Sequence, residues 1–291
     1  MSRPYKVVDV FTREPLRGNP VAVVLQADGL DTDAMQRIAH WTNLSETTFV
    51  LLPTQPGADY RLRIFTPRGE LPFAGHPTLG SAHAVLTAGL ATPREGALVQ
   101  ECGAGLIDLR WERDGHASHV TLRMPSAILT SLPESDVDEL EKILGAKVDR
   151  AVAPAIANVG VGWVVAQLPS AQALRTLNPD YSRLAQFERR LGLTGVSLYG
   201  AHPCGGAADI EVRSFTPSSG VAEDPVCGSG NGSIAAFRFV RGLLSSEGAD
   251  YVASQGRCVG RDGRVFVRVT REGQVHIGGE CITGIDGKLS C

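Results

Sequence analysis

With 291 residues, 43% of them hydrophobic and 20% charged, the chain can bury a substantial core and is not a disordered polymer. A formal net charge of −3 and the lack of any Lys/Arg-rich run leave no basic field for nucleic acid or for an anionic membrane surface. The six cysteines are scattered, with no C-x-x-C pair and no Cys/His spacing of the zinc kind, so free thiols and no metal are expected.

The opening residues MSRPYKVVDVF lead directly into a strand pattern. They lack the apolar core and cleavage site of a secretion signal, and no apolar run reaches membrane-spanning length. A soluble cytoplasmic protein is the expectation. YKVVDVFTREPLRGNPVAVVLQ reads as two strands joined by a Gly-Asn-Pro turn. A helix over residues 31–41 follows, with Met35, Ile38 and Ala39 on one face. ETTFVLLP is a strand, and DYRLRIFTP is an alternating strand. A polar turn and a glycine loop then lead into the small-residue helix of GHPTLGSAHAVL. The segment 125–154, with its acidic helix ESDVDELEKIL, reads as a connection. VGVGWVVAQL (strand), residues 180–191 (helix) and GVSLYGAH (strand) complete the approach to a second strand ending in Phe-Thr-Pro.

That second Phe-Thr-Pro, at Phe215, lies 150 residues after the first, at Phe65. Gly75 and Gly228, which open the two small-residue helices, lie 153 apart, so the second copy carries three extra loop residues. The chain is a pseudo-repeat of two α+β halves. Each helix is apolar almost all round: Leu79, Ala82, Ala84, Val85 and Leu86 in one, Ile234, Ala235, Ala236, Phe237 and Phe239 in the other. Such helices must be buried on most sides, which a curled, mostly antiparallel sheet around each would achieve. Gly80, Ser81 and Ala82 would let strands approach closely.

Helix N-termini carry unpaired N–H groups and partial positive charge, so two facing helix starts could hold a small carboxylate. Glycine and Ser/Asn also open helices for purely local reasons. Asp224, before Pro225, reads as a general acid or base, or as an ordinary turn aspartate. His76 occupies the matching place in the first half and reads as a site residue or a helix-start polar group. Glu46, where a helix gives way to a strand, reads as a functional or a capping carboxylate. Cys227 precedes the second helix, whose dipole would favour the thiolate; otherwise it is a small buried filler. The spacing of Gly228, Gly230 and Gly232 matches neither a dinucleotide nor a Walker loop.

Together VDVFT…GNPVAVV (8–24), SETTFV (45–50), FTPRGELPFAGHPTLG (65–80) and EDPVCGSGNG (223–232), in that order, resemble the PhzF-like phenazine-biosynthesis family, of the diaminopimelate-epimerase-like fold. The resemblance implies an N-terminal half over residues 1–122, to which residues 275–291 return, and a C-terminal half over 123–274. It implies a cofactor-independent isomerase or epimerase, a homodimer, acting by proton transfer on a small carboxylate-bearing substrate in a cleft between the halves. Carried over position by position, Glu46 would be the acid/base, His76 and Asp224 would assist, and Gly75, Gly228 and Ser229 would line the carboxylate site. The family pattern Asp-Pro-Ala-Thr-Gly-Ser here reads Asp-Pro-Val-Cys-Gly-Ser. Related epimerases pair a cysteine at this place with one in the first half, where this chain has Ala74. A two-thiol epimerase is therefore disfavoured. A racemase-like pair of Glu46 with Cys227 stays open, as does a non-catalytic carboxylate-binding protein, against which Glu46 argues.

Overall fold

The first apolar run forms β1 (Ser2–Val10), paired antiparallel with β2 (Asn19–Val24). The protein is described by a computed structural model covering residues 2–114 and 117–291. The Gly-Asn-Pro stretch is not the turn its composition predicts. Asn19 and Pro20 already belong to β2, and the chain reverses over residues 11–18, with Phe11 and Leu16 both at φ 69°. Gly18 is needed for close approach: a Cβ there would overlap the Val10 carbonyl.

Helix α1 (Thr32–Thr42) starts where the Asp31 carboxylate accepts from the Ala34 N–H at 2.7 Å, and ends at Asn43 in the left-handed region. Its Met35 and Ala39 pack with Val24, Phe49 and Phe65. β3 (Thr47–Leu51) runs parallel to β2, β4 (Tyr60–Phe65) antiparallel to β3, and the short β5 (Glu70–Leu71) antiparallel to β4. After α2 (Gly75–Thr87), β6 (Ala97–Cys102) lies parallel to β4, and β7 (Gly105–Asp114) and β8 (Ala117–Arg123) add antiparallel hairpins.

The chain continues through β9 (Ile128–Ser131), α3 (Glu134–Leu144), β10 (Ala155–Asn158), β11 (Gly162–Gln167), α4 (Ala171–Arg175) and α5 (Tyr181–Leu191). Then come β12 (Gly195–Ala201), β13 (Ile210–Thr216), β14 (Val221–Asp224), α6 (Gly228–Val240), β15 (Ala249–Gln255), β16 (Gly263–Val269) and β17 (Val275–Ser290). The chain divides into two compact units: everything through Arg123 with Gly278–Cys291, and Met124–Ile277.

In the first unit β17 pairs antiparallel with β1 and also with β8. The order β1-β2-β3-β4-β6-β7-β8-β17 therefore closes on itself as an eight-stranded mixed barrel. Helix α2 packs against β1, β2, β3, β4 and β8, with every residue from His76 to Val85 buried. Buried Ser81, Thr78 and His83 of α2 are hydrogen-bonded to the barrel. Ser81 and Thr48 share a hydroxyl hydrogen bond at 2.8 Å, Gln100 donates to Thr78 at 3.1 Å, and His83 bonds Ser118 at 2.6 Å and Thr283 at 2.9 Å.

The second unit repeats the pairing senses. β10–β11 is antiparallel, β11–β12 parallel, β12–β13 antiparallel, β13–β14 antiparallel, β13–β15 parallel and β15–β16 antiparallel. Helix α6 packs on β10, β11, β12 and β16, buried from Gly230 through Phe237. The fold is thus α+β in two pseudo-symmetric parts, each a curled sheet around a central helix. The segment 125–154 is not a linker. Val137, Leu140, Ile143 and Leu144 of α3 join the core of the second unit with Leu184 and Phe187 of α5. No helix among the described residues is long and apolar enough to cross a membrane.

Candidate active site

In the first unit the structure brings Glu46 and His76 together. Left-handed Asn43 turns the chain out of α1, and a 2.6 Å hydroxyl pair, Thr42 with Thr47, ties that exit to the start of β3. The Glu46 carbonyl accepts from the Ala22 N–H at 3.4 Å, leaving its side chain only 16% exposed. Burial pushes the carboxyl pKa up to about 7, against a smaller lowering by the Ser45 hydroxyl. Glu46 Oε2 lies 3.4 Å from His76 Nε2, close enough for charge to act, though longer than a strong hydrogen bond.

His76 is the second residue of α2, and its other nitrogen, Nδ1, stands 3.5 Å from the Asn19 side-chain nitrogen. Sequence reasoning missed Asn19 as a site residue. It lies in the GNP segment, read only as a turn, and is buried at the head of β2. The α2 N-cap, Ala74, offers no side-chain acceptor, so the helix start at Gly75 keeps its positive character.

The second unit gathers Asp224, Cys227, Gly228 and Ser229. Asp224 ends β14 and accepts from the Val226 N–H at 3.1 Å, bridging Pro225 in an Asx turn. Cys227 is the N-cap of α6, its sulfur accepting from the Gly230 N–H at 3.3 Å and standing 3.5 Å from Ser229 Oγ. Trp163 Nε1 donates to that hydroxyl at 3.2 Å. Two sequence readings need correction here. The helix start does not favour a Cys227 thiolate: burial, with the adjacent Asp224 charge, raises its pKa well above that of an ordinary thiol. Nor is His76 the counterpart of Asp224. Leu71 stands opposite Ile64 as Asp224 stands opposite Ser214, one residue before Phe65 and Phe215 respectively, so Leu71 is the equivalent position. Three more residues escaped notice because nothing local marks them: Gln255, and the ion-paired Arg213 and Glu223, all buried beside Asp224.

A family model described as phenazine biosynthesis-like protein matches residues 8–287. The chain belongs to the phenazine biosynthesis-like family. It is 39% identical over 293 aligned positions to Antisense-enhancing sequence 1 of Schizosaccharomyces pombe, covering 98% of this chain and 97% of that protein. It is 38% identical over 271 positions to the trans-2,3-dihydro-3-hydroxyanthranilate isomerase of Pseudomonas aeruginosa, covering 93% and 91%. The fold is similar to that of a PhzF-family phenazine biosynthesis protein from Bacillus anthracis, with a TM-score of 0.89 over 100% of both chains at 24% identity. Like the relatives of this phenazine biosynthesis-like family that are named as isomerases, the chain is an isomerase.

Proposed function

We propose that the protein moves a proton between two carbons of a small, unsaturated carboxylate, with Glu46 as the acid/base and no cofactor. The observation that carries this is Glu46 itself: a largely buried carboxyl with a pKa near 7, 3.4 Å from His76. A base with that pKa is ionised often enough to take a carbon-bound proton and acidic enough to return it. His76, with Nε2 3.4 Å from the carboxylate, supports this role as the group placed to steady the charge that builds as the proton moves. Isomerisation of this kind has no net redox change, so a carboxyl group is chemically sufficient. Gly75, and in the second unit Gly228 and Ser229, are assigned to the substrate carboxylate through helix-start N–H groups and a hydroxyl. Asp224 is assigned to assist protonation. Cys227, held as a thiol, is assigned to packing and capping rather than to a racemase pair.

The relative's named substrate, trans-2,3-dihydro-3-hydroxyanthranilate, is the first compound to test, in deuterated water. Wild type is expected to isomerise it or a similar acid with deuterium entering carbon. Glu46→Gln is expected to lose about 10²–10⁴-fold in that rate while staying folded. A folded Glu46→Gln that exchanges at the wild-type rate overturns the assignment.

A further inference from the structure

The loop Asp224-Pro225-Val226-Cys227 is gripped from one side by the end of β15 and the start of β16. Gln255, fully buried, makes three hydrogen bonds to it and to the helix it starts. Its Oε1 accepts from the Cys227 N–H at 3.1 Å and from the Asn231 amide at 2.9 Å, and its Nε2 donates to the Asp224 carbonyl at 3.0 Å. Asn231 closes the ring by donating to the Cys227 carbonyl at 2.9 Å. The next residue, Gly256, has φ 101°, and a Cβ there would come within 2.5 Å of the Pro225 carbonyl. A Cβ on Gly263 would overlap Val226. The buried Arg213 holds the neighbouring Glu223 by two hydrogen bonds, at 3.0 and 2.7 Å.

Among the described residues the first unit has no such clamp. The position there that matches Gln255 is Cys102, since Gln100 pairs with Tyr60 as Ala253 pairs with Ile210; the nearby Gln100 reaches Thr78 and accepts from Tyr60 at 2.9 Å. A buried amide that spends two of its three hydrogen bonds on the backbone at the two ends of this loop, and the third on α6, fixes the loop's backbone more tightly than capping α6 requires.

We infer that Gln255 is a positioning residue for the reaction: it sets the backbone of Asp224 and Cys227, and hence where the Asp224 carboxylate is presented. The inference rests on the proposed role of Asp224. Displacements of about 1 Å at a reacting group cost on the order of 10²-fold in rate, so the clamp is expected to act on kcat more than on KM.

The test uses the full-length enzyme and trans-2,3-dihydro-3-hydroxyanthranilate, or whichever acid shows wild-type exchange. Gln255→Leu removes all three hydrogen bonds and is expected to lower kcat about 10- to 100-fold with KM little changed. Gln255→Glu keeps the shape and both acceptor bonds. Protonated, its O–H can still donate to the Asp224 carbonyl; ionised, it sets oxygen against oxygen. Its kcat is therefore expected to approach wild type at low pH and to fall, relative to wild type at the same pH, as pH rises. A purely structural role would lower the unfolding temperature without this pH-dependent ratio. An unchanged kcat in folded Gln255→Leu overturns the inference. So does a Glu variant whose kcat ratio to wild type is flat with pH, which carries the test alone if the Leu variant does not fold. Asp224→Asn separates the two levels. If it retains full activity, the role of Asp224 has failed; if it is impaired while both Gln255 variants are not, only the clamp has failed.

Discussion

Glu46 is costly to the fold in the ionisation state its chemistry needs. Its pKa rises from about 4.5 in the unfolded chain to about 7 by burial. Between those values the native state holds the proton that the unfolded state has released, so stability falls as pH rises through the window, and the full cost is present above pH 7. The shift corresponds to at most about 3 kcal/mol. Glu46→Gln is therefore expected to unfold at higher urea than wild type at pH 8, and with little difference near pH 4.5. Glu188, also pushed up to about 7 by burial, is common to both proteins and cancels. Equal urea midpoints at pH 8 would contradict this. Catalysis should show the opposite limb: kcat/KM declines as pH drops below about 7, where Glu46 is protonated and cannot act as base. Local chemistry could not mark this residue in the sequence. Thr47 opposes Phe65 as Val196 opposes Phe215, so the repeat equivalent of Glu46 is Gly195, and the internal comparison that exposed the two helices passes over it. The place of Glu46 between helix and strand left it open as a functional or a capping carboxylate, and the family resemblance made it the acid/base. The raised Cys227 pKa was equally illegible, because a helix start argues for a thiolate until burial is known.

At the scale of elements, the legible parts are those with one dominant cause. The central helices are nearly uniform in apolarity because each has sheet on most sides, and the alternating strand before each ends in the same Phe-Thr-Pro. Helix α3 shows the reverse. Its composition is dominated by acidic residues, yet it is fixed by the apolar set Val137, Leu140, Ile143 and Leu144, and even Glu141 is buried, holding Lys147 and Arg150. Composition pointed to a connection while spacing pointed to a core helix. Small residues in α2 have a direct use at Gly80, where a Cβ would overlap Val21 and lie 2.8 Å from a Val10 methyl carbon. Gly80→Ala gains helix propensity but overpacks the seat of α2 on β1 and β2. The overpacking, about 1–3 kcal/mol, exceeds the roughly 1 kcal/mol of propensity gained. A lower unfolding temperature is expected, and a rise would show that the barrel yields at no cost.

Across the whole chain, the final strand is the least local feature. β17 begins in the second unit and from Gly278 onward belongs to the first, where its register with β1 runs from Cys281 opposite Val10 to Ser290 opposite Ser2. Nothing within residues 278–291 says which strands they join, since the pairing spans almost the full chain; the sequence reading took it from the family. Its energetic role follows from closure. β17 fills the gap between β1 and β8, and His83 of α2 bonds Ser118 on one side of that seam and Thr283 on the other. Lys6 and Asp286 add an ion pair at 2.6 Å, though Asp286 is largely exposed and the pair adds little. Ending the chain at Ile277 would leave the β1 and β8 edges open and strip one partner from a buried histidine, and open edges recruit other chains. Hydrogen exchange should then show β1, β8 and α2 losing protection while β12, β13 and α6 keep it, with the truncated protein prone to aggregate. Loss of protection throughout both units would mean instead that the second unit does not hold its structure without a closed first barrel.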